Sequence, residues 1–181
     1  MKKTMLSLLL VALLAGSAFA ADPLTFKTDA SGTVMFNNSG KDIVALVVTI
    51  DIPAANVIVR HEHFFRTDPA IPAGGTDSDP SVGPATTQFV QFDDGTTWGE
   101  LEPYGSALFK MRQGVIDFLN RLQSAGSDED FTAVLNKYDD QAAAMQNSLK
   151  LMLKSDGVAV VRQGVASRLK IANDRKNSGK F

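Results

Sequence analysis

Ile43-Val44-Ala45-Leu46-Val47-Val48-Thr49-Ile50, residues 43–50, is rich in β-branched side chains and apolar at nearly every position. Successive strand residues point to opposite faces, so such a run predicts an inner strand covered on both sides. Period alone also admits a short buried helix. Pro53 ends the run, because proline has no N–H to give a ladder. Upstream, Leu24 to Lys27 and Thr33 to Phe36 are short β-prone pieces. Asn37-Asn38-Ser39-Gly40, which follows them, is a turn by residue chemistry. Downstream, Val57 to Phe65 alternates, with Val57, Val59, His61, His63 and Phe65 on one face and Ile58, Arg60, Glu62 and Phe64 on the other. Arg66 to Thr87 holds four of the seven prolines together with Gly74, Gly75 and Gly83, and reads as a long irregular loop, either functional or mobile. Gln88 to Phe92 returns to strand, Asp93-Asp94-Gly95 signals a tight hairpin, and Thr96-Thr97-Trp98 starts the return strand.

From Tyr104 the period becomes helical. Leu108, Met111, Val115, Phe118, Leu119 and Leu122 form one stripe. Ser127 followed by Asp128, Glu129 and Asp130 is an N-cap with an acidic first turn, favourable against the helix dipole. Phe131, Val134, Leu135 and Tyr138 continue that helix. Ala142 to Leu153 predicts a third, closed by Gly157, and Val158, Val161, Val165, Leu169 and Ala172 mark a fourth. Strands first and helices second predict an α+β fold. The expectation is a small antiparallel β-sandwich or sheet over 21–100, followed by a helical lobe of three or four helices over 101–181, packed on the sheet as one unit. Arg112-Gln113-Gly114-Val115 recurs as Arg162-Gln163-Gly164-Val165. The residues between do not match and no third copy exists, so the better reading is coincidence between two similar amphipathic helices.

Residues 1–20 read as an address. Lys2 and Lys3 precede an apolar run from Met5 to Leu14, and Ala18-Phe19-Ala20 offers small residues for a cut before Ala21. That is the pattern of a secretory signal peptide, and the run falls short of the ~20 residues that span a bilayer. Leu14-Ala15-Gly16-Ser17 has serine where a lipoprotein box has its lipidated cysteine. The expectation is a periplasmic or secreted protein with no transmembrane segment in the mature chain. The 181 residues are 44% apolar and carry 18 basic and 20 acidic side chains, no cysteine and two histidines. This excludes a disulfide scaffold, a zinc ribbon and a cysteine nucleophile. Without Lys2 and Lys3, sixteen basic side chains face twenty acidic ones, a net charge of −4 that gives no general attraction to nucleic acid.

Candidate chemistry is sparse. His61 and His63 stand two apart, about 7 Å along a strand, a spacing able to hold a metal. A catalytic zinc site wants a third protein ligand, such as Asp93 or Asp94. The plainer reading packs both rings at the edge of a half-buried face beside Val59 and Phe65. Neither Asp77 with Asp79 nor Asp93 with Asp94 has the spacing of a calcium loop, and turn chemistry accounts for both pairs. No serine sits in a nucleophile elbow, and no phosphate loop or dinucleotide fingerprint is present. Trp98, Tyr104 and Phe64 are candidates to line a ligand groove, although aromatics near strand ends are more often core. No catalytic residue and no cofactor is expected.

The segment from Gly32 to Ile52, with Asn38-Ser39-Gly40-Lys41 before its valine-rich strand, resembles the opening of immunoglobulin-like (FxLYD-type) sandwich domains in bacterial exported proteins. Phe92-Asp93-Asp94-Gly95-Thr96-Thr97-Trp98-Gly99 is similar to a closing hairpin in such proteins. The resemblance covers about Gly32 to Gly99; Asp51-Ile52-Pro53-Ala54 departs from its usual turn, and the helical half has no counterpart in it. It implies an interaction or envelope role and transfers no catalytic residue. The leading expectation is a non-enzymatic exported protein that binds a protein or envelope ligand. The alternatives are a metal-dependent hydrolase centred on His61 and His63, and a self-associating envelope protein.

Overall fold

The computed structural model describes residues 21–181, so the leader read in residues 1–20 lies outside the described residues. The strand half has seven strands: β1 (Leu24–Asp29), β2 (Gly32–Asn37), β3 (Ile43–Ile52), β4 (Ala55–Glu62), β5 (Thr76–Asp79), β6 (Ala85–Phe92) and β7 (Thr97–Gly99). They form two antiparallel sheets, ordered β1-β2-β5 and β4-β3-β6-β7. A short turn at Leu101–Gly105 leads into α1 (Ser106–Gln123), α2 (Asp128–Asn136) and α3 (Ala143–Asn177). The fold is α+β, with helices following the sheets. Among the described residues, no helix is long and apolar enough to cross a membrane.

Strand β3 is the inner strand its composition predicts, paired with β4 on one side and β6 on the other. Leu46, Val48 and Ile50 face the three-stranded sheet, where they meet Leu24 and Met35. Ala45 and Val47 face the helices and meet Phe89 and Leu108. Each buried Val, Leu or Ile contributes about 1.5–3 kcal/mol, more than the ~1–2 kcal/mol spent fixing its backbone. Ile43 has the parity of Ala45 yet joins the inter-sheet cluster, because the ladder with β6 shifts register between Ile43 and Ala45. One extra residue in a strand turns every side chain beyond it to the other face.

The segment Arg66 to Thr87 is not one irregular loop. Ile71 bridges Ile43, Thr76–Asp79 pairs with β2 as an edge strand, and Ala85 already belongs to β6. Asp77-Ser78-Asp79 is therefore strand, not turn. Its Thr-Asp-Ser-Asp composition holds a single β-branched residue and no apolar one, and only pairing with the β2 backbone makes it a strand. Buried Asn37 ties this segment down, with its Nδ2 2.8 Å, 3.1 Å and 2.9 Å from the carbonyls of Lys41, Ile71 and Pro72.

Among the helices, Ser127 caps α2, accepting at 3.0 Å from the Asp130 N–H. Helix α3 is broken at Gly157, whose φ of 80° and ψ of 170° are not helical. Beyond the break the chain doubles back, since an Arg168 amino group lies 3.9 Å from the Met152 sulfur. Sixteen residues of unbroken helix would hold those positions ~24 Å apart. The third helix closed by Gly157 and the fourth starting at Val158 are thus the two arms of a hairpin. The repeated Arg-Gln-Gly-Val runs play different parts. Arg112 is buried in the centre of the molecule, whereas Arg162 is partly exposed and bonds Asp128 and the carbonyls of Ala125 and Ser127.

Candidate functional site

The two histidines are placed apart by what they face. His61 stands opposite Leu46 on β4, and its Nδ1 pairs with the Asp77 carboxylate of β5, joining the two sheets. His63 lies just past the strand, donates its N–H to the Val44 carbonyl at 2.9 Å, and has Nδ1 3.3 Å from Asp68. That second contact falls outside hydrogen-bond geometry, which leaves Nδ1 of His63 buried without a bonded partner. Asp93 and Asp94 sit at the β6–β7 turn, where Asp94 takes Lys41 at 2.7 Å, and do not join the histidines. Among the described residues, no group of three or more His, Asp or Glu is arranged to hold a metal.

Phe64, Tyr104 and Trp98 fall in three separate clusters. Phe64 is wholly buried with the helical core. Tyr104 packs beside Ala45, Val47, Phe89 and Leu108. Trp98 is half-buried against the inter-sheet core.

The least legible feature is an ionic centre between sheet and helices. Arg112 of α1 is 0% exposed. Its Nε and Nη2 donate to one oxygen of Glu62 at 3.2 Å and 2.9 Å, and its Nη1 donates to Gln91 at 2.9 Å. The other Glu62 oxygen accepts the Phe64 N–H at 2.7 Å. The Phe64 ring lies 4.0 Å from the guanidinium, with Phe109 at 5.2 Å and Phe181 at 5.9 Å. Burial pushes the Glu62 carboxyl above its ordinary value, opposed by Arg112 and then by the Phe64 N–H. Desolvation likewise lowers the Arg112 pKa, against the pull of Glu62. A guanidinium closed off from solvent positions its neighbours and does not react with a solute. One signal for it exists in the sequence: residue 112 lies four after Leu108 and three before Val115, on the apolar stripe.

Among the described residues, one groove combines a wall of two aromatic side chains with polar groups. It encloses about 510 Å³ between residues 21–23, the Asn38-Ser39 turn with Lys41, and the β6–β7 hairpin. Trp98 and Phe92 supply the aromatic wall. Asp22, Asn38, Lys41 and Thr97 supply the polar groups. The hairpin places them, since Phe92 N–H bonds the Thr96 carbonyl at 2.9 Å and Gly95 takes the positive φ of 88° that the tight turn requires. Lys41 is held at the rim by Asp94 and by Thr96 at 3.1 Å. A second cleft of about 300 Å³, lined by Asp42, Asp93, Asp174 and Arg175, is smaller and has no aromatic wall. Of the aromatics singled out in the sequence, Trp98 alone lies in a groove of this kind.

Comparison with protein-family models, with curated proteins and with solved structures finds no match to this chain.

Proposed function

We propose that this is an exported, non-enzymatic binding protein that takes its ligand in the groove walled by Trp98 and Phe92. The observation that carries the reading is the groove itself, an apolar wall with a few polar groups at its margin, which is the usual make-up of a ligand site. The leader pattern of residues 1–20 supports export, and the resemblance of residues 32–99 to sandwich domains of exported bacterial proteins agrees with a binding role.

Capture from bacterial envelope and medium fractions tests it, with the mature chain as bait beside Trp98→Ala and Thr97→Arg. A species retained by the wild type and lost from both variants, with unchanged circular dichroism, is the expected result. Identical retention by all three would sink the reading. Mass spectrometry of the exported protein should find Ala21 at its N-terminus; an intact leader on a cytosolic chain would remove the export half.

A further inference from the structure

The walls of the Trp98 groove are tied together before any ligand arrives. The Asn38 N–H donates to the Pro23 carbonyl at 2.9 Å, and one oxygen of Asp22 accepts the Leu24 N–H at 2.9 Å and the Thr87 hydroxyl at 2.8 Å. Lys41 is fixed by Asp94 at 2.7 Å and Thr96 at 3.1 Å. Such bonds spare a ligand the cost of ordering its site.

The groups left over decide what fits. Among the described residues, the second oxygen of Asp22 and the side-chain oxygen of Asn38 accept no hydrogen bond, and the Thr97 hydroxyl makes none. Lys41 keeps one of its three N–H donors after Asp94 and Thr96. An anion would meet the Asp22 carboxylate and a cation the Lys41 ammonium, since both line the same space of about 510 Å³. A wholly apolar ligand would strip water from the oxygens of Asp22 and Asn38 and return no hydrogen bond. What fits is a neutral molecule with an apolar face for the half-buried indole and an edge of groups that both donate and accept. Hydroxyl is such a group, and a pyranose ring carries hydroxyls around a face of C–H bonds.

On the reading that this groove is the binding site, we propose that it takes a neutral saccharide. A sugar ring stacks on Trp98, and its hydroxyls bond Asp22, Asn38, Lys41 and Thr97.

Trp98 is the only tryptophan, so its emission reports occupancy directly. The mature chain is titrated with cellobiose, maltose and N,N′-diacetylchitobiose to about 10 mM, and in parallel with choline, benzoate and trialanine. At least one disaccharide should shift the emission saturably. Asn38→Ala and Thr97→Val should each weaken it about three- to tenfold, and Thr97→Arg should abolish it, with circular dichroism unchanged. Thr97→Val keeps the shape of the side chain, so it decides the matter should Asn38→Ala disturb its turn. Silence from all three disaccharides, or an affinity that survives the substitutions, overturns the proposal. Saturation by choline, benzoate or trialanine alone also overturns it, in favour of a charged or peptide ligand. The envelope capture with Trp98→Ala then separates the two readings. Retention lost in that variant removes only the saccharide, whereas identical retention removes the groove as a binding site as well.

Discussion

At the scale of single residues, the Arg112–Glu62 pair sets the sharpest expectations. Taking a charge out of water is tolerable only when its partner is in place. Arg112→Met leaves the Glu62 carboxylate buried against Phe64 and should cost about 3–5 kcal/mol at neutral pH, read from urea unfolding. The loss should depend on pH in a definite sense. Burial raises the folded-state pKa of Glu62 above its ordinary 4.5, and losing Arg112 raises it further. A carboxyl shifted upward contributes stability that is complete below the unfolded value and lost as pH rises through the folded one. The Arg112→Met deficit should therefore shrink as the pH falls toward 4.5. A second change, Glu62→Gln, should recover most of the neutral-pH loss. An equal deficit at both ends of the range would mean that packing, not charge, is what the arginine supplies. Asp94 titrates in the other sense. Hydrogen bonds from Lys41 and Thr96 hold it well below the usual carboxylate range. Its support is present above the ordinary value of 3.8 and lost as pH falls through the lower folded value.

Elements carry their own predictions. A Cβ on Gly157 would meet nothing within 4 Å, so its glycine is required by backbone conformation and not by space. The φ of 80° with ψ of 170° is open essentially to glycine alone. Gly157→Ala should cost about 1–3 kcal/mol by conformational strain, seen as a lowered urea midpoint. Crosslinking between the two arms of α3 would report whether the hairpin opens. Ser127→Ala should cost about 1 kcal/mol through the lost cap of α2. Both features can be read from residue type. Strand β5 cannot, because its side chains alternate between half-buried and exposed with no apolar member, and its pairing partner β2 lies some forty residues earlier in the chain. Long-range backbone pairing leaves no local mark when the strand sits at an edge.

For the whole molecule, three layers are fastened at few points. Phe89 and Leu108 join the four-stranded sheet to α1, and Arg112 joins β4 and β6 to the same helix. Phe181 closes the centre edge-on against Phe64, with ring centroids 5.5 Å apart. These cross-layer contacts should make sheets and helices unfold together. Trp98 is the only tryptophan and stands on β7, so its fluorescence follows the sheet while far-ultraviolet circular dichroism follows the helices. The two urea transitions should coincide; separated midpoints would show two independently stable units.

The sequence by itself determined that strands precede helices, the inner strand at 43–50, the hairpin at Asp93-Asp94-Gly95, the cap at Ser127 and the break at Gly157. Each rests on local causes: side-chain alternation, turn-forming residues and backbone permission. Only the tertiary structure decided that His61 and His63 face different carboxylates, and that Phe64, Tyr104 and Trp98 belong to separate clusters. It also decided that Arg112 is buried against Glu62, and that Arg175 reaches the carbonyls of His63 and Arg66. Such pairings join residues some fifty or a hundred positions apart. Their energies depend on desolvation and on which sheet or helix face is covered, and these quantities exist only once the layers have packed.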